Sequence, residues 1–308
     1  MDLGGSNARA AAVDPTGAVL QVSKVKLSAR TPEAAVDALA SCVTQVFAAL
    51  DRPRESCLGY GLGLAAQIDA RTGHVIVAPN LGWRDVDFAG LLGQRLGHAV
   101  TLGNDLAVAG LGEAKAGAAR GYKDAVLFYV GSGIGSALIL DGRLYRGSRG
   151  IAGEIGHSKV RPGGRKCGCG ELGCLEAYAG GNNLGFRVLE AVAAGRTTAV
   201  TKLVPDGVRP TVNFIEQAAN DGDALAIELL DEAASLIGLT AANLITLLNP
   251  GVLILGGGVL LNSAWIRRKA EETLRANVSR PALEGCLIVS PALGDDAGVI
   301  GAAFLSQA

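Results

Sequence analysis

The chain has 308 residues, of which 49% are hydrophobic, 19% charged and 4% aromatic, and 44 of them are glycine. The apolar share excludes a disordered chain, the lack of a Gly-x-y period excludes a collagen-like fibre, and the length suggests two domains able to bury a core without disulfides. A formal net charge of −1 gives no global electrostatic reason to expect nucleic acid or an anionic membrane as a partner.

The chain opens Met1-Asp2-Leu3-Gly4-Gly5, with neither a basic nor an apolar leader, so it does not read as a secretory signal and a cytoplasmic protein is expected. Residues 3–26 run from a Gly-Gly-Ser loop into a small-residue strand at 8–13, a turn at Asp14-Pro15-Thr16-Gly17, and a return strand at 18–26. Thr31-Pro32-Glu33 then supplies an N-cap, a proline at the first helical position and an acid in the first turn, opening a helix to about Leu50. Strands are expected near 57–64, 74–77 and 99–102, with a helix over 86–96. Asn104-Asp105 follows a strand and precedes a second helix carrying Glu113. The uncharged stretch 125–140 is short for a membrane span, which needs about 20 residues, and reads as two buried strands. Residues 126–147 repeat the opening plan about 127 residues on. A strand at 126–130 leads into Gly131-Ser132-Gly133-Ile134-Gly135, a strand at 136–140, an Asp141-Gly142 turn and a strand at 143–147. The repeat implies a duplicated domain whose halves each open with a glycine-rich hairpin. Helices follow over 175–194, 212–219 and 223–248. Then come a strand at 252–255, the loop Gly256-Gly257-Gly258, a helix at 262–277, a strand at 286–290 and a last helix from about Asp296. The class is α/β with mixed sheets.

Several of these features can carry chemistry. In the first loop, Gly4 and Gly5 let backbone N–H groups face a phosphate, Ser6 and Asn7 add donors, and Asp2 could hold a magnesium ion through water; an ordinary hairpin entry is the plainer reading. The loop at 131–135 cannot be a dinucleotide fingerprint, because a strand rather than a helix follows it, and a hairpin clamp on phosphate fits better. The loop at 256–258 lies between a strand and a helix, where ligands sit in open α/β sheets. Three such loops at strand ends point to a nucleoside triphosphate. Asp105 can be a general base with Asn104 orienting a hydroxyl substrate, or the pair can simply cap the helix. His157 with Cys167, Cys169 and Cys174 offers one imidazole and three thiolates, the tetrahedral donor set of zinc, with no open position and therefore a structural role. Such a site would hold Glu154, His157 and Glu176 around a polar ligand, His157 using one ring nitrogen for the metal and the other for the ligand. The basic run at 161–166 reads as a solvated part of this loop rather than a nucleic-acid site, having no interleaved aromatics. Cys42, Cys57 and Cys286 are expected in the core, and His74 and His98 have no partner legible in the sequence.

Together these motifs resemble the ROK family of bacterial sugar kinases and repressors, and within it most closely the ATP-dependent glucokinases. The motifs that carry the likeness span the chain: residues 2–7, 78–83, 103–105 with Gly112-Glu113, 131–135, 153–157, the cysteine loop and 255–258. The resemblance implies the two-lobed actin-like, ribonuclease-H-like fold, with a first lobe of residues 1–112 completed by 296–308, a second of 113–295, and the sugar in the cleft. It implies that Asp105 is the catalytic base and that Asn80, Asn104, Glu154, His157 and Glu176 hold sugar hydroxyls. His157, Cys167, Cys169 and Cys174 would be zinc ligands. Asp2, Gly4, Gly5, Ser6, Asn7, Ser132, Gly133, Gly256, Gly257 and Gly258 would meet ATP and Mg²⁺. The activity expected is phosphorylation of glucose. Kinases for N-acetylmannosamine, N-acetylglucosamine or fructose, and a non-catalytic sugar sensor, are the alternatives, and a homo-oligomer, commonly a dimer, is expected. The sequence departs from the family pattern at Ser6 and Ser132, where threonine is usual, at Ala65-Ala66, where Pro-Gly is usual, and at Ala179-Gly180, where Ala-Ser is common. The chain also begins almost at the first motif, so an edge of the first sheet is expected to be weakened.

Overall fold

The computed structural model describes residues 1–69 and 71–307. The first strands are β1 (Asp2–Leu3), β2 (Asn7–Val13) and β3 (Val19–Lys26), followed by α1 (Pro32–Leu50), β4 (Tyr60–Leu64), β5 (Gln67–Asp69), β6 (His74–Ala78) and β7 (Trp83–Val86). Next come α2 (Phe88–Leu96), β8 (Val100–Asn104), α3 (Asp105–Ala116), β9 (Ala125–Val130), β10 (Ile134–Leu140) and β11 (Arg143–Leu144). A helical stretch follows: α4 (Leu175–Ala179), α5 (Gly181–Ala193), α6 (Val200–Leu203), α7 (Val212–Asn220) and α8 (Ala224–Leu248). The chain closes with β12 (Val252–Gly256), α9 (Gly258–Asn262), α10 (Ala264–Asn277), α11 (Arg280–Glu284), β13 (Leu287–Val289) and α12 (Ala297–Leu305). Two five-stranded sheets share one strand plan, β3-β2-β1-β4-β8 and β11-β10-β9-β12-β13. In each, three hairpin strands precede two later strands, which is the duplication expected from the repeated glycine hairpin. The turn chemistry holds at both copies. Asp14 Oδ1 accepts the Thr16 and Ala18 N–H groups, and Asp141-Gly142 takes two positive φ angles, 51° and 75°, as a tight hairpin turn requires.

The chain forms two compact units, residues 1–125, 137–153 and 291–308, and residues 126–136 and 154–290. In the first, α1 lays Val36, Leu39, Val43 and Val46 on β2 and β3. It is long and apolar enough to cross a membrane by length and composition alone, but here it packs within its unit. The division expected after residue 112 lies inside α3, which packs as one piece against α12. That contact explains part of the chain's small-residue composition. A Cβ at Gly301 would stand 1.8 Å from the Val108 carbonyl oxygen, and one at Gly61 equally close to that of Ala302. Helix, helix and strand touch backbone to backbone. Gly301→Ala should therefore destabilise by about 3 kcal/mol, read as a fall of roughly 6–10 °C in Tm.

Several expectations need correction. The first strand is not an edge: β1 is the central strand of its sheet, Asp2 and Leu3 pairing with β2 antiparallel and β4 parallel, and Met1 adds backbone bonds to Gly61 and Gly63 of β4. A cavity of about 230 Å³ is lined by Met1, Ala10, Ala12, Tyr60 and Gly61 among others. The helix expected over 175–194 breaks at Gly180, extended at φ −65° and ψ 138°, and the one over 262–277 breaks at Ser263, whose buried Oγ accepts the Ile266 N–H to cap α10. Val86 belongs to β7, and α2 starts after its cap Asp87. The small sheet β5-β6-β7 showed in the sequence only as residues 74–77, and α6 and α11 did not show.

Candidate functional site

The first glycine turn, residues 4–6, links β1 to β2 and is closed by the Gly4 N–H on the Asn7 carbonyl. Ser6 is exposed, and its carbonyl accepts the Leu27 N–H. Asp2 stands at the start of the turn, where burial pushes its carboxyl up against the opposing pull of the terminal ammonium and Arg9. Exposed Asn80 packs its backbone against Gly5. At the β8–α3 junction, Asn104 is the N-cap: its Oδ1 accepts the Leu106 and Ala107 N–H groups at 3.0 and 3.2 Å, and its amide donates to the Ala66 carbonyl at 3.3 Å. Asp105 takes the first helical position, half-buried, with Oδ1 accepting the Leu106 N–H at 2.9 Å. The cap is thus made by Asn104 rather than by Asp105. Fully buried Glu113, further along α3, accepts the N–H groups of Ala118, Ala292 and Leu293 at 2.7, 3.0 and 2.9 Å, which fixes the chain just before α12.

In the second unit the other two glycine turns meet. Gly257 has φ +89°, and a Cβ there would strike the Val130 backbone at 2.5 Å, so this turn lies directly on the end of β9. A Cβ on Gly131 would stand 3.9 Å from the Gly258 nitrogen. The first amides of α5 donate into the second turn, Gly181 to the Gly131 carbonyl at 2.9 Å and Asn182 to that of Ser132 at 3.0 Å. Ser132 and Gly258 are exposed at this junction. The second and third glycine turns and the start of α5 thus converge at strand ends, the first two amides of α5 being spent on carbonyls of the second turn. Asn182 was not foreseen, because its link to Ser132 spans 50 residues of sequence with no local signal.

The cysteine loop folds as its spacing implies. The ligand atoms of His157, Cys167, Cys169 and Cys174 all lie within 4.8 Å of one another. The Cys169–Cys174 sulfur separation is 3.8 Å, and Cys167 Sγ lies 3.7 Å from His157 Nδ1. A tetrahedron with 2.3 Å zinc–sulfur bonds has edges of about 3.8 Å, so the donor set fits that ion in type and size. Burial pushes the Cys167 thiol up to about 12. The Cys169 thiol is held below its ordinary value by the Glu171 backbone N–H and its sulfur neighbours, which outweigh burial. His157 Nε2 faces Glu154 at 3.8 Å. Glu154 keeps 39% of its side-chain surface exposed, yet burial pushes its carboxyl up, with His157 opposing and Glu176 reinforcing. The basic run is bound more firmly than a solvated loop. Arg161 pairs with Glu232 at 2.5 Å and Arg165 with Glu190 at 2.6 Å. The Tyr178 hydroxyl accepts the Arg165 N–H at 2.8 Å, while Arg187, 9% exposed, donates to the Tyr178 carbonyl and to Glu232. Tyr178, Arg187 and Glu232 were missed because their partners lie 9 to 71 residues away. Cys42 and Cys286 are buried as expected, whereas Cys57 is only half-buried. His74 pairs with Asp85 at 2.6 Å, and His98 packs edge-on to the Tyr60 ring.

The repeated strand plan, with glycine turns at corresponding strand ends, is that of the actin-like ATPases. The chain belongs to the ROK family, whose model matches residues 1–308. It is 32% identical to the glucokinase of Streptomyces coelicolor, over 100% of this chain and 96% of that protein. Among solved structures it is similar to the ROK hexokinase of Thermus thermophilus, with a TM-score of 0.83 at 32% identity over 99% and 96% of the two chains. It is also similar to the ROK family glucokinase of Streptomyces griseus in complex with glucose and AMPPNP, with a TM-score of 0.77 at 33% identity over 99% and 97%. Repressors are similar as well: the Escherichia coli regulator NagC is 29% identical over 92% of this chain and 66% of its own length.

Proposed function

We propose that this protein phosphorylates a hexose with ATP, and that the hexose is glucose. The observation that carries the reading is the meeting of the second and third glycine turns at the ends of β9 and β12, beside a helix, α4, that carries Glu176. Full-length similarity to glucokinases supports the same substrate. Asp105 takes the proton of the attacking sugar hydroxyl, its place at the start of α3 fixed by the Asn104 cap. Glu154, His157 and Glu176 hold other sugar hydroxyls, with Asn80 contributing from the loop beside Gly5. Asn104 contributes through whatever capacity its cap bonds leave. The amides and hydroxyls of residues 4–7, 131–133 and 256–258 receive the triphosphate, and Asp2 offers a carboxylate to its magnesium through water. His157, Cys167, Cys169 and Cys174 hold zinc, which when bound ties the loop together and leaves no open coordination position. Holding the nucleophile and triphosphate in line and out of water does most of the catalytic work in such a transfer.

A coupled ADP-release assay with Mg-ATP across glucose, mannose, fructose, N-acetylglucosamine and N-acetylmannosamine tests the proposal. Glucose should give the highest kcat/KM. Preference for an N-acetyl sugar would replace the substrate while keeping the reaction, and no turnover with any sugar would favour the non-catalytic sensor that the repressor relatives suggest.

A further inference from the structure

Glu176 has a second partner besides the sugar assigned to it. Its Oε2 accepts the backbone N–H of Ile134 at 2.8 Å, across 42 residues of sequence. Ile134 opens β10 directly after the second glycine turn, which is closed by the Gly131 N–H on the Gly133 carbonyl at 2.9 Å. A Cβ built on Gly133 would lie 2.6 Å from the same Oε2. The carboxylate fills the space that a side chain at 133 would need. The turn is also held from the segment that follows Glu176: past the end of α4 at Gly180, the Gly181 and Asn182 N–H groups donate to the carbonyls of Gly131 and Ser132. One stretch of seven residues, 176–182, grips the turn at both ends.

We infer that Glu176 is a positioning residue for the phosphoryl donor as well as a sugar ligand: through the Ile134 amide it sets the shape of the turn that receives the phosphates. The inference rests on the kinase reading above. Backbone N–H groups bind an anion well only when already aimed at it, so a turn released at one end should bind nucleotide more weakly even with no sugar present. A role in sugar binding alone would leave that affinity untouched.

Calorimetric titration of Mg-AMPPNP in the absence of sugar, beside glucose titrations and Tm measurements, separates the two roles. Glu176→Gln keeps an acceptor oxygen for Ile134 but is a poorer partner for sugar hydroxyls. It should hold nucleotide affinity within about twofold while weakening glucose about tenfold, whereas Glu176→Ala should weaken both about tenfold. Gly133→Ala introduces no strained φ, because Gly133 is outside the left-handed region, but it pushes the carboxylate aside. It should weaken nucleotide about tenfold with glucose affinity kept, and in a Glu176→Ala background should cost less than about twofold more, since the group it would strike is gone. If Glu176→Ala does not fold, the Gly133→Ala and Glu176→Gln pair decides. Wild-type nucleotide affinity in Glu176→Ala or Gly133→Ala overturns the inference while leaving the kinase reading intact. A wild-type protein that binds no nucleotide overturns both.

Discussion

Asp105→Asn lowers kcat for sugar-dependent ADP release by about 10²–10⁴-fold, the usual worth of a general base, while leaving Tm and sugar KM close to wild type. Asparagine is isosteric and its Oδ1 can still accept the Leu106 N–H, so the local geometry of α3 survives and only the ability to take a proton is lost. Asn104→Ala is the informative contrast. It removes the oxygen that accepts two first-turn amides and should cost about 1 kcal/mol of stability, seen as a lower Tm, with a smaller effect on kcat. The sequence offers two readings of Asn104-Asp105, a cap or a catalytic pair, and the hydrogen bonds give the cap to Asn104, leaving catalysis by Asp105 as the proposal these variants test. A coupled assay and a melting curve on the two variants check it. Unchanged turnover in Asp105→Asn would remove Asp105 from the mechanism and point to another proton acceptor.

What the sequence makes legible is what local chemistry dictates. Pro32 at the first helical position and Asp141-Gly142 with both φ angles positive are short-range statements, and each predicts its element within a residue or two. The cysteines behave likewise, because Cys167, Cys169 and Cys174 share one loop and need only His157 from outside it. The breaks at Gly180 and Ser263 are harder. Apolar positions continue from Leu175 to Leu184, so periodicity reports one helix where tertiary packing makes two; at Ser263 the expected helix begins two residues early, and the short α9 before it goes unread. The sheet β5-β6-β7 escapes notice because Gln67–Asp69 is too short and polar to show alternation. In the site, what stays hidden is long-range: nothing near Glu176 indicates that it accepts the amide of Ile134, and nothing in the run 161–166 indicates Glu232. Those bonds decide whether the motif residues are pre-aimed, so the motifs identify the chemistry and the folded contacts set its geometry.

Removal of the metal should have the other large effect, and the loop's hydrogen bonds limit how far it spreads. Cys174 is fully buried and is the N-cap residue of α4, so losing its bond to the zinc proposed above would loosen the helix that carries Glu176 at its first turn. Cys174→Ser should reduce bound zinc from about one ion per chain to near none and lower Tm by about 10 °C, while Cys286→Ser, a core substitution outside the cluster, should leave metal content unchanged. The loss should stop short of global unfolding because the other end of the loop has its own anchor. Tyr178 holds Arg165, and Arg161 and Arg187 both reach Glu232, so α4 stays tied at Tyr178 when it is released at Cys174. Adding Glu232→Ala to Cys174→Ser weakens both ends, and the pair should cost more than the sum of the single changes if each anchor covers for the other. Metal analysis by mass spectrometry and calorimetric melting of the three variants read this directly. Strict additivity would mean that the ion and the arginine clamp hold separate parts of the loop. Full zinc content in Cys174→Ser would remove Cys174 from the ligand set.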